Sequence, residues 1–168
     1  MEQDTLYLSF SEIPDASEIL FKGEIPGIFV EEAIRSHSFS MVTRHFHESL
    51  ELYFLIEGER FYFVEQDTYH LQEHMAILVD QNQIHKTCPA GTGKKHHRFL
   101  MQLEGPVLDQ LLRLCGSVSL EEFGNAYRGI TRFSVDQWAQ ILSLLRQDQG
   151  TILHLSHPGQ LPAINRTQ

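Results

Sequence analysis

The stretch "RHFHESLELYFLIEGERFYF", residues 44–63, decides how this chain is to be read. It sets His45 and His47 one residue apart, follows them with Glu51, and then runs through apolar residues to Gly58. On a strand, His45 and His47 project from the same face, which is a sound way to give two imidazoles to one ion. Glu51 has the right parity but the wrong distance. Four residues of straight strand span roughly 13 Å, whereas ligand atoms sit about 2 Å from a metal. A site can form only if the chain turns between His47 and Glu51, and "ESL" (48–50) permits such a turn. A fourth ligand must come from elsewhere. His85, on a short strand after the "DQNQ" turn, is the best candidate. Three imidazoles and one carboxylate from His45, His47, Glu51 and His85 suit a divalent transition metal (Zn, Ni, Fe or Mn), with positions left for water. A lone His-x-His on a strand is also compatible with a polar barrel rim.

Outward from this stretch the chain reads as β first and α last. Short segments rich in β-branched and aromatic residues recur as "GIFVEEAI", "SFSMVT", "ELYFLIE", "RFYFVE", "TYHL", "MAILVD", "IHKT" and "HHRFLMQLE". They are bounded by Gly, Asp, Asn or Gln, and their regular spacing predicts a barrel or jelly roll. "LYLSF" (6–10) is a candidate edge strand, whereas "EIPDASEI", "KGEIPG" and "PAGTGKK" read as loops. Gly58 predicts a hairpin turn, because glycine takes a positive φ without steric penalty. Turns are also expected at Glu65-Gln66-Asp67 and Gln72-Glu73-His74. Tyr53, Leu55, Phe61 and Phe63 are candidates to line the interior. The His96-His97 pair is expected at the surface, although parity turns one of the two inward.

After residue 104 the period changes to that of a helix. "GPVLDQLLRLCG" places Pro106 at a helix start, Gly116 past its end, and Leu108, Leu111, Leu112 and Cys115 on one face. "SLEE" and "SVDQ" are capping-box patterns. The second opens a helix whose Val135, Trp138, Ile141, Leu142 and Leu145 share a face. That face either covers the barrel or pairs with a second copy.

Composition narrows the setting. With 168 residues, 42% hydrophobic and 10% aromatic, the chain suffices for one packed domain. A net charge of −9 excludes a general attraction for phosphate backbones. Cys88 and Cys115 form no CxxC pair and read as buried or half-buried thiols of a reducing compartment. The acidic N-terminus does not fit a signal peptide, and no stretch has the length of a membrane span. A cytoplasmic location is expected.

The spacing HxHxxxExxxxxxG over His45, His47, Glu51 and Gly58 resembles the first motif of the cupin superfamily. "HMAILVDQNQIH" (74–85) is similar to the second, keeping its apolar strand and His85, but with His74 where glycine is expected and Gln81 near the place of proline. Within that superfamily, "ELYFLIEG", "TYHL", "MAILVD" and "IHKT", in that order, resemble the N-terminal effector-sensing domain of AraC/XylS-type transcription regulators over about residues 28–104. The resemblance implies a mainly β, cupin-type jelly-roll barrel over 1–104, followed by α-helices in a linker and dimerisation segment over 105–168. It implies a small-molecule effector, a sugar or related metabolite, meeting His45, His47, Glu51, Tyr53 and His85. A homodimer through the C-terminal helices is expected. Nothing in 105–168 offers a helix-turn-helix, so DNA would be reached only through a further domain; the chain reads either as an excised or truncated sensor, which is favoured, or as a natural stand-alone relative. The alternative is a metal-dependent cupin enzyme, an isomerase or dioxygenase, using the three-His/one-Glu site.

Overall fold

The computed structural model describes residues 17–36, 40–41, 43–93, 95–116 and 119–156. Eight strands come first: β1 (Glu18–Ile25), β2 (Ile28–Ser36), β3 (Leu50–Glu57), β4 (Arg60–Val64), β5 (Asp67–Leu71), β6 (Met75–Val79), β7 (His85–Pro89) and β8 (Lys95–Leu103). Then follow α1 (Gly105–Leu114), α2 (Leu120–Tyr127), β9 (Gly129–Arg132) and α3 (Val135–Ser156). A six-stranded antiparallel sheet runs β1-β2-β8-β3-β6-β9, and a three-stranded sheet β5-β4-β7 faces it. This is the expected mainly β jelly roll with C-terminal helices.

The alternation of side chains sorts each strand of the large sheet into an inner and an outer row. On β3, Tyr53 and Leu55 join Tyr62, Val64, Leu71, Ile77 and Val79 in the core between the sheets. The opposite row is apolar as well, because helices cover it. Leu50 and Leu78 pack with Leu108, Leu112 and Phe123 of α1 and α2. Val30 and Phe99 pack with Leu145 and Ile152 of α3. Coverage on both faces explains why "MAILV" of β6 is apolar throughout and buried at every position. The α3 face expected from the sequence therefore lies on its own barrel, apart from Val135, which is 71% exposed.

The caps form as expected. Ser119 Oγ accepts the Glu122 amide at 3.1 Å, and Ser134 and Gln137 bond reciprocally at 2.9 and 3.3 Å.

Several expectations are corrected. β1 occupies part of the two segments read as loop, with only Pro26-Gly27 turning between β1 and β2. The prolines and glycines flank or interrupt an edge strand, where the ladder on one side needs no donor. Of "SFSMVT", residues 40, 41 and 43 are described and none is in a strand, while "LYLSF" lies outside the described residues. Gly58 does have φ +96°, but β3 and β4 belong to opposite sheets, so the turn is a crossing and not a hairpin. Phe61 and Phe63 point away from the core, and Arg60, Tyr62 and Val64 are the buried row of β4. His96 is buried, and His97 is half-buried with its Nε2–H donated to Glu32 at 2.8 Å. Cys88 is half-buried as expected, but Cys115 is exposed. The segment after 104 also returns a strand: β9 pairs with β6 and completes the large sheet. At four residues between two helices, β9 is too short for its period to show.

His74 has φ +64°, a left-handed backbone that favours the glycine it replaces. Its ring lies 5.5 Å from that of Trp138, a packing contact that glycine could not make.

Two glycine substitutions should act with opposite sign. At Gly58 a Cβ would lie 2.8 Å from the Lys95 carbonyl oxygen, on a backbone that L-residues avoid. Gly58→Ala should cost about 2 kcal/mol in urea denaturation. At Gly150, exposed in α3, a Cβ meets nothing within 4 Å. Gly150→Ala should stabilise by up to about 1 kcal/mol.

Candidate functional site

The turn that the histidine spacing demands is present. His45 bridges to His85 through paired backbone hydrogen bonds of 3.1 and 2.9 Å, the chain bends at Glu48-Ser49, and β3 begins at Leu50. The Asn82 amide donates to the His47 carbonyl at 2.8 Å, fastening the "DQNQ" turn to the same segment. Asn82 has φ +61°, a left-handed conformation that asparagine tolerates where the superfamily motif would place other turn residues.

These constraints gather the three imidazoles. Ring centroids are 4.2 Å apart for His45–His85, 4.9 Å for His47–His85 and 5.9 Å for His45–His47. One ring nitrogen from each lies within 4.8 Å of the others. Glu51 is the buried neighbour of the cluster. Its Oε2 accepts from His47 Nε2 at 3.0 Å and from the Gln102 amide at 3.1 Å, and it lies 3.7 Å from His85 Nε2. Its Oε1 accepts from the Tyr62 hydroxyl. At 3.7 Å the His85 contact is too long for a hydrogen bond.

The titration of these groups follows from their partners. Burial alone would push the Glu51 carboxyl up, but hydrogen bonds from His47 and Tyr62 and the nearby His85 hold it well below the usual carboxylate range. The hydrogen bond to Glu51 raises His47 against the cost of burial. Burial lowers His45, and the neighbouring His85 adds to the effect. Burial and the facing Glu51 charge push the Tyr62 hydroxyl well above its ordinary value, so it stays protonated and donates.

The donor set fits a transition metal. His47 Nδ1 and His85 Nδ1 lie 2.9 Å from the Ser49 and Gln83 carbonyls. Protons held there turn both Nε2 atoms toward the cluster, the way outer hydrogen bonds orient metal-binding histidines. His85 Nε2 is buried with no hydrogen-bond partner among the described residues. Two 2.0 Å bonds at a tetrahedral angle would separate ligand nitrogens by roughly 3.3 Å, so nitrogens within 4.8 Å of one another need close by no more than about 1.5 Å. Without a metal, a proton on His47 Nε2 joins it to Glu51.

Tyr53, the remaining expected ligand contact, lies deeper. It follows Glu51 on the inner row, and its ring centroid is 5.2 Å from that of Tyr62. The sequence reading missed Tyr62 and Gln102. Gln102 stands opposite Glu51 in the β3–β8 register, so a correct strand pairing would have exposed it. Two clefts open at this end. One of about 160 Å³ is lined by Ser49, Gln102 and Phe29 among others. The other, of about 520 Å³, is lined by Glu48, Gln81 and Asn82, and both touch Gly27 and Glu104.

The two facing sheets make a cupin-type jelly-roll fold. The model of the AraC-like ligand-binding domain matches residues 26–160, and the chain belongs to that family. Among solved structures, it is similar to an RmlC-like cupin family protein with a double-stranded β-helix fold from Methanocaldococcus jannaschii, at 14% identity over 61% of this chain and 91% of that one, TM-score 0.47. A cupin superfamily protein from Desulfitobacterium hafniense matches at 15% identity over 56% and 81%, TM-score 0.47. The DMSP lyase DddQ from Ruegeria pomeroyi matches at 15% over 55% and 48%, TM-score 0.45. No curated protein sequence matches the chain. Among the described residues, no helix is long and apolar enough to cross a membrane.

Two consequences can be measured on protein stripped with EDTA. Tyr62→Phe should cost about 1–2 kcal/mol in urea denaturation, since it removes a donor to a buried carboxylate. The His47–Glu51 pair should also show in the pH profile. His47, raised by folding, stabilises fully below its unfolded value and loses this as pH climbs through the folded one. Glu51, lowered by folding, stabilises above its unfolded value and loses this as pH falls through the folded one. The stability excess of the parent over His47→Gln should therefore peak at about pH 5–6 and shrink toward pH 9.

Proposed function

We propose that this chain is the ligand-sensing and dimerisation module of an AraC-type transcription regulator acting in the cytoplasm. A small molecule of the sugar or small-acid class enters the barrel and is ordered by His45, His47, Glu51, Tyr53 and His85. Binding favours one arrangement of the N-terminal segment and the C-terminal helices, and a DNA-binding domain elsewhere in the regulator reads the change. The ligand can do this only by binding one arrangement better than the other. The observation that carries the reading is the imidazole–carboxylate cluster, beside which two clefts open, in a chain whose family is that of ligand-binding domains. Direct packing of α3 on the sheet that carries Glu51 supports a mechanical route to the helices. Residues 1–104 sense and 105–168 relay. This boundary is one of role and not of packing, because β9 and the helices build onto the barrel.

The same residues would hold a divalent metal (Zn, Ni, Fe or Mn) through the Nε2 atoms of His47 and His85, with His45 and Glu51. A bound ion would supply a Lewis acid for a ligand oxygen. Elemental analysis of purified protein should find close to one equivalent, lost in His47→Ala and Glu51→Ala. A thermal-shift screen of sugars and small acids should give a hit that weakens in both variants. No hit from the whole screen would sink the sensor reading. The same donor set favours a second reading, a metal-dependent isomerase or dioxygenase, which requires turnover by the metal-loaded protein.

Dimerisation falls to the outer side of α3, where Leu144 and Leu155 are 58% and 56% exposed. Eleven residues is close to three helical turns, so both lie on one face. Light scattering after gel filtration should show a dimer for the parent and a monomer for Leu144→Glu/Leu155→Glu with an unchanged circular-dichroism spectrum.

A further inference from the structure

Beyond the Tyr53–Tyr62 pair, away from the imidazoles, the barrel interior turns cationic. Gln102, Arg98 and His96 share the inner row of β8, with Arg98 four residues, roughly 13 Å, beyond Gln102. Arg60 is the first residue of the buried row of β4 and is fully buried. Its Nε donates to Thr87 Oγ1 at 3.2 Å. Arg35, on β2, donates to Glu31 Oε1 at 3.1 Å, and Arg98 donates to the same oxygen. The Arg98 guanidinium lies over the Tyr53 ring, 5.9 Å from its centroid. Three guanidiniums thus share one neighbourhood. The charges of Arg98, Arg60 and Arg35 all reach the Tyr53 hydroxyl. Burial lowers Arg60, with Arg35 and Arg98 adding to the effect.

Two atoms in this neighbourhood point to something further. Tyr53 is 3% and Arg98 8% exposed, yet the Tyr53 hydroxyl and Arg98 Nη1 have no hydrogen-bond partner among the described residues. A buried guanidinium loses several kcal/mol of solvation that only an anion with good geometry returns, and a buried unpaired donor adds its own penalty. One Glu31 oxygen already serves two arginines. Arg35 and Glu31 keep 15% and 11% of their side chains exposed, so the cluster touches solvent on the β2 side. A planar carboxylate is among the anions that match guanidinium donors in pairs.

We propose that the barrel holds a carboxylate-binding subsite formed by Arg98, Arg60, Arg35 and the Tyr53 hydroxyl, so that the molecule sensed is an organic acid and not a neutral sugar. The inference rests on the sensor reading and specifies its ligand class. Bound there, the carboxylate accepts from Arg98 Nη1 and from the Tyr53 hydroxyl.

The test compares matched pairs on the full chain in EDTA: glucuronate against glucose, galacturonate against galactose, and succinate and benzoate against their amides. The expected result is a melting-temperature rise of roughly 5 °C with at least one acid at saturating concentration, and none with its neutral counterpart. Arg98→Gln should weaken that acid about tenfold or more. Tyr53→Phe removes a hydroxyl that has no partner among the described residues, so it should weaken the acid while leaving the ligand-free melting temperature equal or higher. Arg98→Lys should restore part of the affinity. A purely structural cluster predicts instead equal response to acids and neutral analogues, or full affinity in both Arg98→Gln and Tyr53→Phe; either result overturns the subsite and leaves the sensor standing. Response to neutral sugars alone has the same meaning. Silence from every compound, charged and neutral, overturns both.

Discussion

The buried Glu51 carboxylate is the constraint on which the candidate site depends. It belongs to β3 of the large sheet, while Tyr62 and His85 belong to β4 and β7 of the small one. By accepting from Tyr62 and His47 and facing His85, it ties the two sheets at one end of the barrel. A charge in such a place is tolerated only because its oxygens are met by donors, and those donors are the groups a ligand or an ion would use. The requirement that keeps the carboxylate charged therefore also keeps the imidazoles together.

Elsewhere the barrel obeys simpler rules. The large sheet is apolar on both faces because the small sheet covers one and three helices the other. The C-terminal helices are consequently part of the folding unit, and whatever shifts the sheet beneath them is felt along their apolar faces. Polar groups sit at the two ends of the interior, imidazoles and a carboxylate at one and guanidiniums toward the other, with Tyr53 and Tyr62 stacked edge-on between.

Much of this was legible in the residues. The strands of 50–103 stand close to where short β-branched and aromatic runs put them, because those runs are bounded by residues that stop a strand. The helix caps were readable because a cap is a contact between residues three apart. The site was partly legible: the spacing of His45, His47 and Glu51 required a bend, and the bend is there. β1 was hidden by its prolines and glycines, which an edge strand admits. β4 was read in the wrong parity, since two apolar faces offer Phe61 and Phe63 as readily as Tyr62 and Val64. Parity said that one of His96 and His97 turns inward, but only the sheet pairing decides that it is His96, in the row of Arg98 and Leu100.

By itself the sequence determined a mainly β domain with a helical tail, the family to which it belongs, and the identities of the imidazoles and carboxylate at its mouth. Those follow from local pattern, where neighbours along the chain set period, turn and spacing. Tertiary structure alone decided that β3 and β4 part into different sheets, that α3 spends its apolar face on its own barrel, and that β9 returns to pair with β6. It alone brought Arg98 of β8 over Tyr53 and joined it through Glu31 to Arg35 of β2. The reason is physical: which face of a strand turns inward, and which distant side chains it then meets, depends on register between strands, and register is set by the packing of the whole barrel.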